Sequence, residues 1–94
     1  MEYTVEKKVF KEFEKLPAHI KLMAFKQMKK LKEAATLGEM GNVEHLEGTT
    51  EPYYRLKFSD YRFLLYHNEA KNNVEVLSLK HRKDAYKKQN LPWK

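Results

Sequence analysis

Three cations fall within nine residues, Tyr54-Arg55-Leu56-Lys57-Phe58-Ser59-Asp60-Tyr61-Arg62, at a spacing that could hold an anion. The segment reads as two short strands joined by a tight Ser59-Asp60 turn. Strand side chains alternate between faces. Tyr54, Leu56 and Phe58 therefore share one face, and Arg55 and Lys57 share the other. A two-residue turn places Lys57 opposite Arg62. Like charges directly opposite each other destabilise a sheet. An anion seated between the two cations offsets that cost.

Further along, Leu77 and Leu79 read as core-facing, which sends Val74, Val76, Ser78, Lys80 and Arg82 to the opposite face. Paired in an even register with the preceding strand, Arg82 joins Lys57 and Arg62; a slip of one residue would send it to the wrong side. His81 titrates near neutrality, but this alternation points it toward the leucines, so it reads as structural. His45 and His67 have no evident partners. The four histidines show no metal-ligand spacing, and no Asp/Glu cluster accompanies them, so neither a metal nor another cofactor is expected.

The elements that must position these cations follow from periodicity. Glu2-Val5 suits a short first strand. From Glu6, Val9, Phe13 and Leu16 fall at helical spacing with Phe10 beside them. Pro17 suits the first turn of a second helix, which should bury Ile20, Met23, Ala24, Met28, Leu31 and Ala35 and stop near Gly38. Its lysines 21, 26, 29, 30 and 32 form a solvated outer side. Residues 39–52, with Gly41, Gly48 and Pro52, read as a loop. Strands follow at 53–58, 61–67 and 74–81, then a short helix near 83–89. The expected class is α+β. A short N-terminal strand and a helical hairpin pack on one face of a small, mainly antiparallel sheet, and a short helix closes the chain.

Ninety-four residues make one domain, 1–94, with 41% hydrophobic residues to fill a single core. Without cysteine, disulfides and thiolate metal sites are excluded, and a reducing, cytoplasmic location is expected. No signal peptide or membrane span is evident. Residues 1–52 carry nine Lys and nine Glu, so the whole net charge of +6 lies in residues 53–94, with ten Lys/Arg against four Asp/Glu. A basic patch confined to the strand-rich half is the footprint of a phosphate-binding surface.

The order of elements, with Phe13-Glu14-Lys15-Leu16-Pro17, Leu46-Glu47-Gly48, Tyr54-Arg55-Leu56-Lys57, Asp60-Tyr61-Arg62 and His81-Arg82-Lys83-Asp84-Ala85-Tyr86, resembles the RelE/ParE toxin superfamily of toxin–antitoxin systems. The resemblance covers nearly the whole chain. The RelE branch cleaves messenger RNA in the ribosomal A site; the ParE branch poisons DNA gyrase. It implies a type II toxin, partnered by a cognate antitoxin, the ribosome and mRNA. The matching positions are Arg55, Lys57, Arg62, Arg82 and Tyr86. Arg55 stands where RelE has a lysine; a guanidinium stays protonated, which suits a clamp and not a base. The end of the chain, Leu91-Pro92-Trp93-Lys94, is short, so contacts from a longer tail are not expected.

The chemistry this implies is attack of a ribose 2′-OH on the adjacent phosphorus, which needs a base, charge stabilisation and an acid. Lys57 is the expected base, because neighbouring Arg55, Arg62 and Arg82 disfavour its charged form. Arg62 would stabilise the phosphate, Arg82 would hold the leaving oxygen, and Tyr86 would stack on a base. Arg55, Lys80, Lys83 and Lys87 are expected to hold RNA. Two other readings stay open: a ParE-like gyrase inhibitor, and an RNA- or ribosome-binding module without chemistry.

Overall fold

The computed structural model describes residues 1–87 and Leu91. Strand β1 (Glu2–Val5) leads into helices α1 (Lys7–Glu14) and α2 (Ala18–Glu33), then a 3-10 turn over Leu37–Met40. Strands β2 (Val43–His45), β3 (Tyr53–Phe58), β4 (Tyr61–Asn68) and β5 (Asn73–His81) follow, and helix α3 (Arg82–Ala85) comes last. The five strands lie in the order β1-β5-β4-β3-β2. The sheet is antiparallel except for β1, which runs parallel to β5.

One core lies between the helical hairpin and one face of the sheet. Val9, Ile20, Ala24 and Leu31 of the helices meet Leu56, Phe58, Phe63, Leu65, Val74, Val76 and Leu79 of the strands. Leu31, Leu56 and Leu65 are wholly inaccessible, and each such leucine contributes about 1.5–3 kcal/mol by burial. The Ser59-Asp60 turn has the expected length: Phe58 pairs with Tyr61 and Lys57 with Arg62. Ser59 takes φ 53 there, the left-handed conformation that two-residue hairpin turns demand.

Four expectations need correction. First, residues 39–52 are not simply a loop, because Val43–His45 form edge strand β2 against β3. Three residues are too few to show an alternating pattern, and pairing rather than propensity makes them a strand. Gly41, at φ 71, turns the chain out of the 3-10 turn toward this strand, a conformation glycine adopts without strain. Second, α2 stops at Glu33, before Gly38. Its cap residue Ala34 is extended and buried, and Ala35 is exposed instead of packed. Pro17 sits at the N-cap, one position before the first turn.

The third correction concerns β5. Leu65 pairs with Val76 and Leu64 with Ser78, so Leu77 is an extra, unpaired residue. This β-bulge resets the side-chain alternation partway along the strand. Val74 and Val76 therefore face the core, together with Leu79 beyond the bulge, while Ser78 and Lys80 point the other way. Arg82 has left the sheet and begins α3. Fourth, α3 covers 82–85 where 83–89 was expected; residues 88 and 89 lie outside the described residues, as do Pro92–Lys94.

Candidate functional site

The sheet face turned away from the helices carries the cations. Lys57 of β3, Arg62 of β4 and Lys80 of β5 are cross-strand neighbours and form one row. The register beyond the bulge sets Lys80 opposite Arg62, and Arg82, in α3, is not part of the row. Two residues along β3, Arg55 shares this face and lies opposite Leu64, which lies opposite Ser78. The row is held at the backbone as well. The Lys57 N–H donates to the Asn42 carbonyl at 2.9 Å, and the Asn42 side-chain amide donates to the Lys57 carbonyl and to Gln27 Oε1, both at 2.8 Å.

Each cation has a partner within the molecule. Glu44 of β2, directly opposite Arg55 in the ladder, bridges two of them: it accepts from Arg55 Nη2 and lies 3.1 Å from Lys57 Nζ. Those contacts, first with Arg55 and then with Lys57, hold the Glu44 carboxyl below the usual carboxylate range. The same bond to Glu44 holds the Arg55 guanidinium further toward its charged form. Lys80 Nζ lies 2.6 Å from Glu12 Oε2 of α1, whose other oxygen accepts from the Leu79 N–H at 2.9 Å. Glu12 thus satisfies a strand N–H and a lysine together.

Arg62 curls back on its own turn. Its Nη1 donates to the carbonyls of Tyr61 at 2.7 Å and Ser59 at 3.1 Å, while its buried Nε has no partner among the described residues. An unpartnered buried donor is costly.

The remaining expected site residues are split. Tyr86, half-exposed, stands over Arg55: the guanidinium carbon is 5.4 Å from the ring centroid, and Nη1 is 3.4 Å from the hydroxyl. Leu46, Glu47, Arg55, Tyr86 and Leu91 line a cavity of about 210 Å³ here. Arg82 is outside the row at the hairpin tip, where its N–H donates to the Asp60 carbonyl at 2.7 Å and its Nε lies 3.6 Å from Asp60 Oδ1. Lys83 is exposed on α3, and Lys87 pairs with Asp84 at 2.8 Å.

His81 packs edge-on against Tyr61, and its Nδ1 accepts from the Lys83 N–H at 3.2 Å, which caps α3. That placement suits the structural reading. Glu44 and Glu12 were missed by sequence reasoning. The nearest signal for Glu44 was an acid at the centre of Val43-Glu44-His45, and it becomes meaningful only once that segment is known to pair with β3. Among the described residues, no group of three His, Asp or Glu could hold a metal ion, and no helix is long and apolar enough to cross a membrane.

No family model and no curated protein matches the chain. Solved structures do. A RelE–RelB complex from the archaeon Pyrococcus horikoshii aligns at 27% identity and TM-score 0.72, over 89% of this chain and 97% of that one. A RelB–RelE antitoxin–toxin complex from Methanococcus jannaschii aligns at 19% identity and TM-score 0.72, over 89% and 95%. The isolated E. coli RelE toxin aligns at 20% identity and TM-score 0.65, over 85% and 82%. The fold of this chain is that of the RelE-type toxin superfamily.

Proposed function

We propose that this protein is the toxin of a type II toxin–antitoxin system, a ribosome-dependent endoribonuclease that cuts mRNA without a metal. The observation that carries the proposal is the row of Lys57, Arg62 and Lys80 on the open sheet face, with Arg55 and Tyr86 beside it. Three cations in cross-strand register cost stability, and a phosphodiester gives them a use.

In the reaction, Arg55 and Arg62 grip the phosphate. Entry of the phosphate exchanges one anion for another, because Glu44 now bridges Arg55 and Lys57. Lys57, released from Glu44, takes the 2′-OH proton. The 2′ oxygen bonds to phosphorus, the bond from phosphorus to the 5′ oxygen breaks, and the leaving oxygen, held by Arg82, takes a proton from water. The products are a 2′,3′-cyclic phosphate and a 5′-hydroxyl. Tyr86 stacks on a base and fixes the in-line geometry. Lys80, Lys83 and Lys87 add screened attraction for RNA.

An antitoxin has a seat on the other side of the molecule. A cavity of about 200 Å³ lies between α1, α2 and β1, lined by Tyr3, Val5, Phe13 and Met28 among others. At its mouth Phe10 is 59% and Phe25 63% exposed. Lys21 lies 5.9 Å from the Phe13 ring centroid. Grease rimmed by lysine suits an amphipathic helix with acidic flanks, and the neighbours of known structure include toxin–antitoxin complexes. Primer extension on a translated message after induced expression tests the proposal. Cuts within codons support it; intact messages with broken DNA would point to gyrase poisoning instead.

A further inference from the structure

The open face of the sheet is not basic throughout. Two residues beyond Arg55 on β3, Tyr53 lies directly opposite Tyr66 of β4, and Tyr66 lies opposite Glu75 of β5. All three occupy the cation face, since 53, 55 and 57 share one side of β3. The two rings meet edge to face, with centroids 5.0 Å apart and planes at 63°. Both tyrosines are half-buried. The phenol of Tyr53 is pushed up by burial first, then by the charges of Glu51 and Glu75.

We infer that Tyr53 and Tyr66 form a second base-binding platform, which takes a nucleobase of the same strand whose phosphate sits on the Lys57 row. The inference rests on the reading of that row as an RNA site. Along β3, Tyr53 is four residues from Lys57, about 13 Å at the rise of a strand. The charge balance changes over that distance. At the row cations outnumber the carboxylates of Glu44 and Glu12, whereas the charged groups beside Tyr53 are Glu51 and Glu75. Glu51 and Glu75 repel a phosphate and accept hydrogen bonds from a base. Aromatic rings stack on any base, so the rings supply affinity and the carboxylates supply choice. Bases with an exocyclic amino group, such as cytosine or adenine, gain a partner that uracil lacks. Arg55, stacked on Tyr86, stands between the two ends. The face then reads as phosphate grip, first base, second base.

A cross-strand tyrosine pair also stabilises a sheet, so the test must separate stability from recognition. The full-length wild-type chain is titrated at low salt with short RNAs carrying 2′-deoxy sugars, which resist cleavage. An abasic site is moved through the probe one position at a time. The platform predicts two sensitive positions, one for Tyr86 and one for Tyr53/Tyr66. At the second, losing the base weakens binding about 5- to 150-fold, the range for one stacked base. Tyr53→Leu and Tyr66→Leu cause the same loss on the intact probe and no further loss on the probe abasic at that position. Uracil there binds several-fold more weakly than cytosine, and Glu75→Ala removes the difference. Lys57→Ala weakens every probe alike and lowers the salt slope by about 1. If the Lys57→Ala effect appears but no second position is sensitive, the platform is wrong and the phosphate row stands. If wild type binds no probe, the platform is wrong, and the reading of the row is decided by primer extension on the translated message.

Discussion

The two faces of this sheet are built from the same strands and do opposite things. On one, Leu56, Phe58, Phe63 and Leu65 vanish beneath the helical hairpin. On the other, the residues between them, Arg55, Lys57, Arg62 and Leu64, stay partly open. Alternation along β3 and β4 therefore separates buried apolar residues from open polar ones almost residue by residue. The first face is favourable alone. The second crowds cations that repel, and it is held together by acids borrowed from neighbouring elements: Glu44 from β2 and Glu12 from α1.

The largest effect that can break this division is on activity. Lys57→Ala and Arg82→Ala are expected to abolish cleavage and toxicity while the melting temperature barely moves, since changes at exposed sites usually stay within about 0.5 kcal/mol. Both side chains are partly or largely exposed and, among the described residues, are paired only with Glu44 or Asp60. A fully toxic, properly expressed variant would remove that residue from the chemistry. Next comes the opposite face. Leu56→Ala and Leu65→Ala should cost about 2–5 kcal/mol in urea unfolding, because both side chains are wholly buried. Losses below about 1 kcal/mol would mean that the core is looser than its burial implies.

A smaller effect sharpens the role of the borrowed acids. Glu44 has its carboxyl held below the ordinary 4.5 by Arg55 and Lys57. Its contribution to stability is therefore complete above the ordinary value and lost as pH falls through the lowered one. Glu44→Gln should flatten this acid limb of a pH–stability curve. The same variant should bind inorganic phosphate more tightly at neutral pH, having no anion to displace. Unchanged acid sensitivity and weaker phosphate binding would mean that Glu44 positions Arg55 and Lys57 for phosphate instead of competing with it.

The division between faces also explains what was legible beforehand. The Ser59-Asp60 turn, the Lys57–Arg62 pairing and the shared face of Leu56 and Phe58 were readable, since one short turn fixes the register of the whole hairpin. The strand Glu2–Val5 and the order of the long elements were readable too. What failed depended on partners distant in sequence. Strand β2 exists because β3 is beside it, and the bulge at Leu77 reflects the fit of β5 to β4. One inserted residue turned Val74 and Val76 into the core, while Lys80 kept its expected face and Arg82 left the sheet for α3. Glu12 and Glu44 escaped notice for the same reason: their sequence neighbours say nothing of the cations they meet.

The central claim is that the cation face cuts RNA by 2′-OH attack. It is tested most directly by the chemical identity of the new 3′ end on a message cut during translation by the wild-type protein. The account predicts a 2′,3′-cyclic phosphate, with a message carrying 2′-deoxy at the cut position left whole. A 3′-hydroxyl end, or cutting of the 2′-deoxy message, would contradict it.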